Sequence, residues 1–258
     1  MLEATYIHCP GVGPQTERRL WEAGAFTWRD YLSLESELAV IRRARPILTP
    51  LVCESVDRLA RSDFAWFGRA LPQREHWRAY PAFRDRTVFL DIETTGGPDG
   101  GVVTVVGVHD GETLRQFVRG VDLEKFPDTI ADAAVIVTFF GTGFDLPVLR
   151  SAFGMQFPQL HVDLCYLLKR LGHSGGLKQV ERQLGITRSH ATGGLSGFDA
   201  VRLWWRWRRG DRDALDLLLA YNAEDVLNLK RLLEIAFPAI LVRTSGGLNS
   251  RQMPSTLR

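Results

Sequence analysis

"VFLDIETTGG" (residues 88–97) decides how the rest of the chain is read. An apolar run ends in Asp91 and Glu93, one residue apart, and a Thr-Thr-Gly-Gly turn follows. Side chains alternate between the two faces of an extended strand, so Asp91 and Glu93 project to the same side. Two carboxylates that close repel and raise each other's pKa unless something neutralises them. The stretch therefore predicts a strand whose end carries an acidic pair in need of a partner.

Working outward, three strand-like runs come in quick succession: "TVFLDIE", "GVVTVVGVHD" and "ETLRQFVRG". Short Gly-bearing turns such as Asp110-Gly111 join them, which predicts an antiparallel meander. A helical segment near 122–132 leads to "AAVIVTFFG", a continuous apolar strand of the buried, parallel kind. Helices dominate afterwards: "DLPVLRSAFG", "LCYLLKRLG", "LKQVERQLG", "GFDAVRLWWRWRRG" and "DALDLLLAYNAEDVLNLKRLLEIA". Before residue 76 the pattern is helical, with Pro46 read as the stop of one segment and Pro72 of the next. Within "PQREHWRAYPAFRDR", polar and with two prolines, residues 76–83 are expected as a linker. The expected division is a helical domain at 1–75, the linker, an α/β domain at 84–243 and a polar, mobile tail at 244–258.

Composition narrows the function classes. The chain has 258 residues, 45% apolar and 24% charged, with a formal net charge of +2. Its apolar runs are strand-length, too short to span a bilayer. "MLEATYIHCP" has neither the basic region nor the apolar core of a signal peptide. Three scattered cysteines, Cys9, Cys53 and Cys165, argue against a disulfide framework or a thiolate zinc site, and a reducing cytoplasm is the expected compartment. Charge distribution says more than the total. Residues 162–212 carry ten Lys plus Arg against four Asp plus Glu, a local +6.

Two further carboxylates stand out. Asp145, in "FFGTGFDLPVLR", falls where a buried strand gives way to a helix, and Pro147 suits that helix's first turn. Asp225, in "LLLAYNAEDVLNL", lies inside a long helix with Tyr221 one turn before it. Taken singly, Asp145 reads as a helix cap and Asp225 as solvated surface. Asp91 and Glu93 resist such a reading, because burying unpaired anions is expensive.

"FLDIETTG", "FFGTGFDLPVL" and "YNAEDVLNL", in that order, resemble the three motifs of the DEDD superfamily, the DnaQ-like 3′-to-5′ exonucleases. Within it the chain is most similar to the YprB-like group, which shares "SGFDAVRLW"-like and "YNAEDVLNL"-like text, over roughly residues 84–240. The resemblance implies a ribonuclease-H-like mixed sheet flanked by helices, preceded here by a small all-helical domain. It implies that Asp91, Glu93, Asp145 and Asp225 hold two Mg²⁺ or Mn²⁺ ions about 4 Å apart, which would neutralise the acidic pair. It places the chain in the branch with Tyr four residues before the last Asp: Tyr221 would orient the attacking water. The 94–97 turn, with Thr94, Thr95 and Gly96, would lie beside the terminal sugar and base. One departure is Phe140, where polymerase-associated members carry Asn; its ring, with Phe144 nearby, can stack on a base.

The substrate implied is single-stranded DNA trimmed from its 3′ end, with repair as a setting and RNA as the alternative polymer. A DNA-binding module with a vestigial nuclease core is a rival that the intact carboxylate set disfavours. Lys178, Arg206 and Arg208, in the basic stretch, are candidate phosphate contacts, while Leu203, Trp204 and Trp207 share one helical face as core residues do. Asp163 reads as a helix cap and could also lie near the metals. "CPGVGPQTERRLWEAG" (9–24) resembles the hairpin and second helix of a helix-hairpin-helix element. There Gly11 and Gly13 would turn backbone N–H groups toward a phosphate. Backbone binding and simple helix packing both remain open for that turn. No protein partner can be read from the sequence.

Overall fold

The computed structural model describes residues 1–34, 39–97 and 100–246. Five strands form one sheet: β1 (Thr87–Thr94), β2 (Val103–His109), β3 (Leu114–Val118), β4 (Val135–Thr138) and β5 (Leu160–Asp163). Their order is β3-β2-β1-β4-β5. The first three pair antiparallel, as the meander predicts, and β4 and β5 extend the sheet in parallel from β1. β5 was not foreseen; "LHVD" is only four residues long and runs straight into a helix.

β1 is central and covered on both sides. Val88, Leu90 and Ile92 face a cluster with Leu146 and Leu149, while Phe89 faces a second cluster on the opposite side. Alternation puts Asp91 and Glu93 on the Phe89 side. The helices flanking the sheet are α5 (Phe126–Thr129), α6 (Asp145–Phe153), α7 (Leu164–Arg170), α8 (Leu177–Gln183), α9 (Gly197–Arg208) and α10 (Arg212–Ser245). The last is 34 residues long and lies across β1, β2 and β3. It begins at Asp211, whose side chain accepts from the Ala214 N–H, and closes at Gly246 in left-handed conformation. Of the tail 244–258, residues 247–258 lie outside the described residues.

Among the described residues four α-helices precede the sheet: α1 (Pro14–Glu22), α2 (Trp28–Ser33), α3 (Ala39–Ala60) and α4 (Phe64–Ala70). Here the structure corrects two expectations. Pro46 does not stop a helix, since α3 runs through both Pro46 and Pro50. Each proline removes one helical hydrogen bond, but Leu48 and Val52 are fully buried on the inner face, and that packing keeps the helix intact. The expected linker at 76–83 is no exposed tether. Residues Gln73–Arg86 form a 3₁₀ run in which Trp77, Arg78, Ala79, Tyr80 and Phe83 are buried. Trp77 and Tyr80 pack edge-on against Phe237 of α10, at 5.9 and 5.7 Å between ring centres. The helical region and the sheet therefore share one apolar core.

Candidate active site

Asp91, Glu93 and Asp225 offer carboxylate oxygens that all lie within 4.8 Å of one another. β1 supplies the first two, and α10 brings the third across the sheet. Asp145 enters from the start of α6 and lines the same cleft, of about 510 Å³, together with Tyr221. Phe144, not Asp145, is the N-cap of α6, and it makes no side-chain cap bond. Asp145 instead accepts a hydrogen bond from the Ile92 N–H at 3.2 Å, which ties the helix start to β1. The solvated-surface reading of Asp225 also fails, because its side chain is buried.

Desolvation in the cleft pushes Asp91 and Glu93 well above the ordinary carboxylate range, and the charges of Asp225 and Asp145 push them further. Desolvation likewise lifts Asp145 to about 7. Asp225 rises only to about 6, because the Arg188 guanidinium beside it opposes the effect of burial. Four acidic groups crowded out of water, with only oxygen donors, fit a hard divalent cation.

Close approach of α10 depends on β2. Gly107 sits directly opposite Asp91 in the strand register. A Cβ there would fall 2.3 Å from Asn222 Oδ1 and 2.7 Å from Val226 Cγ2, so any larger residue must push those two α10 side chains aside. Asn222 Nδ2 donates to Asp91 Oδ2 at 3.0 Å, while its Oδ1 accepts from Gln116 Nε2 at 3.0 Å. The amide is thus fixed at both ends and aims one carboxylate. Sequence reasoning passed over Asn222, although its position three before Asp225 puts both on one helical face.

The second-motif loop is held by Asp163. This carboxylate caps α7 through the Cys165 N–H at 3.1 Å, and it also accepts from the Phe140 N–H at 2.8 Å and the Thr142 N–H at 3.0 Å. Those bonds hold Phe140 at φ 64°, a left-handed conformation that costs a bulky residue about 1–2 kcal/mol. The Phe140 ring lies over Gly143, where a Cβ would come within 2.7 Å of it, and the residue remains 47% exposed at the cleft.

Thr94, Gly96, Phe140 and Phe144 line the cleft, joined by Phe198 and Val201 of α9. Thr95 is not in the lining; its hydroxyl accepts from the Val102 N–H at 2.9 Å and closes the hairpin. Lys178 Nζ lies 4.4 Å from the centre of the Tyr221 ring, with no hydrogen-bond partner among the described residues. Arg206 and Arg208 are outside the cleft. Arg206 pairs with Asp211 at 2.7 Å, and Arg208 lies over the rings of Trp204 and Trp207. Trp204 is buried as its helical face predicted. Gly11 and Gly13 are far along the chain in the α1 turn, preceded by a single 3₁₀ turn, and a Cβ at either would meet nothing within 4 Å. Arg188 escaped the sequence reading altogether; a lone arginine in a loop carries no spacing signal.

A mixed five-stranded sheet in 3-2-1-4-5 order, with acidic side chains gathered at its central strand, defines a ribonuclease-H-like fold. The profile of the RNase H superfamily (family RNase_H_2) matches residues 88–237, and the chain belongs to that superfamily. A comparison with curated protein sequences finds no match. Among solved structures, the chain is similar to the family B DNA polymerase from the hyperthermophilic archaeon Pyrobaculum calidifontis, with a TM-score of 0.51 and 20% identity. That likeness covers 67% of this chain and 27% of the polymerase. It is also similar to Escherichia coli RNase D, an exoribonuclease involved in structured RNA processing, with a TM-score of 0.44 and 20% identity over 72% of this chain and 45% of that one. The chain thus spans less than half the length of either protein, and at 20% identity the likeness to the polymerase shows the fold alone. No helix among the described residues is long and apolar enough to cross a membrane.

Proposed function

We propose that the protein is a metal-dependent 3′-to-5′ exonuclease of single-stranded DNA, in the Tyr branch of the DnaQ-like group. The observation that carries this reading is the convergence of Asp91, Glu93 and Asp225 within 4.8 Å, the first half-buried, the other two buried, and together unbalanced in charge. Such a set has little structural use without a cation, and Asp145 on the same cleft makes a fourth ligand available. Bound there, Mg²⁺ or Mn²⁺ would supply electrostatic stabilisation to a phosphodiester displacement.

The chain's own groups divide the remaining work. Tyr221 faces the cleft one helical turn from Asp225, and burial followed by the neighbouring carboxylates holds its phenol protonated at neutral pH. It is therefore a hydrogen-bonding group that positions the attacking water, not a base. Thr94, Gly96, Phe140, Phe144 and Phe198 surround the terminal nucleotide, with aromatic faces against the base. Lys178, beside Tyr221, offers its ammonium to phosphate.

End-labelled single strands of DNA and RNA, incubated with Mn²⁺ and with EDTA, test the reading. Mononucleotides released from the 3′ end of DNA in Mn²⁺ alone are expected. Faster trimming of RNA would move the substrate to that polymer, and cutting of a circular strand would overturn the exonuclease assignment.

A further inference from the structure

Arg188 is buried with its side chain 5% exposed, yet it belongs to none of the three motifs. Its loop is fixed from both sides. The Ile186 N–H donates to the Glu181 carbonyl at 2.9 Å, and the Ser189 N–H donates to Glu224 Oε1 at 2.8 Å. The head is fixed as well. Nε donates to Glu181 Oε2 at 2.6 Å and Nη2 to Glu181 Oε1 at 2.8 Å, a two-pronged grip. Glu181 is itself held by Asn228 Nδ2 at 3.0 Å, and it is fully buried. Nη2 spends its second proton on Asp225 Oδ1. Glu181, Arg188 and Asp225 thus form a chain that ends on one oxygen of the acidic cluster.

A guanidinium hydrogen-bonded to Asp225 Oδ1 competes with a metal ion for that oxygen, because two positive charges held that close repel. We propose that Arg188, clamped by Glu181, is the positioning residue of Asp225. In this role it is a resident counter-ion that orients the carboxylate before a metal arrives and gives up the oxygen when one binds. The inference rests on the metal-site reading above. It adds that the site carries its own placeholder charge, so metal affinity is set below what the four carboxylates alone would give. The grip by Glu181 keeps the displaced head nearby, where its Nη1, buried and without a partner among the described residues, remains available.

The test is Mn²⁺ titration by calorimetry, paired with thermal unfolding in EDTA and in Mn²⁺, on wild type, Arg188→Met and Arg188→Lys. Arg188→Met should unfold at lower temperature in EDTA, regain stability in Mn²⁺, and bind Mn²⁺ more tightly, by roughly 10- to 100-fold, the worth of one charge-assisted hydrogen bond. Arg188→Lys, which keeps the charge but loses the fork, should fall between the two. A structural role alone would weaken metal binding, not strengthen it. Equal or weaker Mn²⁺ affinity in Arg188→Met overturns the proposal while leaving the metal site standing. If Arg188→Met does not fold, Arg188→Lys decides: unchanged or weaker affinity overturns the proposal, tighter binding supports it. Wild-type protein that takes up no Mn²⁺ sinks both readings.

Discussion

Two buried clusters of charge sit on the same core and are built on opposite plans. In the helical region, Arg78 lies between Glu17 and Glu75, at 3.1 and 2.7 Å, and Arg170 reaches Glu75 from outside at 3.3 Å. Glu17 takes further bonds from the Thr5 hydroxyl and the Tyr6 N–H. Positive and negative charge nearly cancel there, and the cluster joins α1 to the 73–86 run. At the sheet, the one ion pair that the four carboxylates make among the described residues is between Asp225 and Arg188, and Arg188 is shared with Glu181. The first cluster is nearly neutral as it stands. The second is complete only with something added, and that imbalance distinguishes a site from a strut.

Charge removal should break the contrast most visibly at the sheet. Asp91→Asn is expected to cut cleavage by more than about 1000-fold, as one member of a unit that acts together. The same change should leave metal-free thermal stability unaltered or higher, because a desolvated, repelled carboxylate has gone. Activity assays beside unfolding in EDTA check both halves; near-normal cleavage at saturating Mg²⁺ would remove Asp91 from the site.

Tyr221→Phe comes next. Turnover should fall roughly 10- to 1000-fold, since a few kcal/mol of positioning and charge stabilisation go with the hydroxyl. Mn²⁺ affinity should survive, because every carboxylate stays. Single-turnover cleavage and metal titration on one preparation separate the outcomes, and loss of metal binding would make Tyr221 a support for Asp225.

The balanced cluster should respond in the opposite sense. Arg78→Met leaves buried Glu17 without its ion-pair partner and Glu75 with Arg170, and is expected to cost about 3–5 kcal/mol in urea unfolding, with cleavage per folded molecule unchanged. A stability loss no larger than at an exposed arginine would mean that the cluster contributes little.

Gly13→Ala gives the smallest effect. A Cβ there meets no neighbour and φ is −101°, so stability should hold. If the turn binds backbone phosphate, affinity for DNA should still drop roughly 2- to 10-fold. Unchanged affinity would assign the turn to packing.

The sequence exposed most of what periodicity and motif order can encode. The β1–β3 meander and the buried β4 were readable because each depends on neighbours in the chain, whereas the grouping of the four carboxylates was implied by the motif resemblance. What stayed hidden depends on neighbours in space. "PQREHWRAYPAFRDR" looked like a linker because its charged letters do not reveal that Glu75 and Arg78 neutralise each other indoors. Asp163 was read correctly as a cap, but its hold on Phe140 and Thr142 joins residues more than twenty positions apart. Arg188 and Asn222 act on Asp225 and Asp91 through contacts that no local spacing announces.

Gly107 has a consequence for how this site can fail. The distance between the acidic strand and the acidic helix is gauged by a hydrogen atom on β2, opposite Asp91. A single methyl added at that point would act as a shim. It would push aside the Asn222 amide that aims Asp91 and press on Val226 of α10, and a misplacement on the order of 1 Å in such a site costs enzymes about 100-fold. Every ligand and every motif would still be present in such a chain. Its loss of activity would be invisible to any inspection of the catalytic residues themselves, because the lesion would lie in the tolerance to which the parts are assembled.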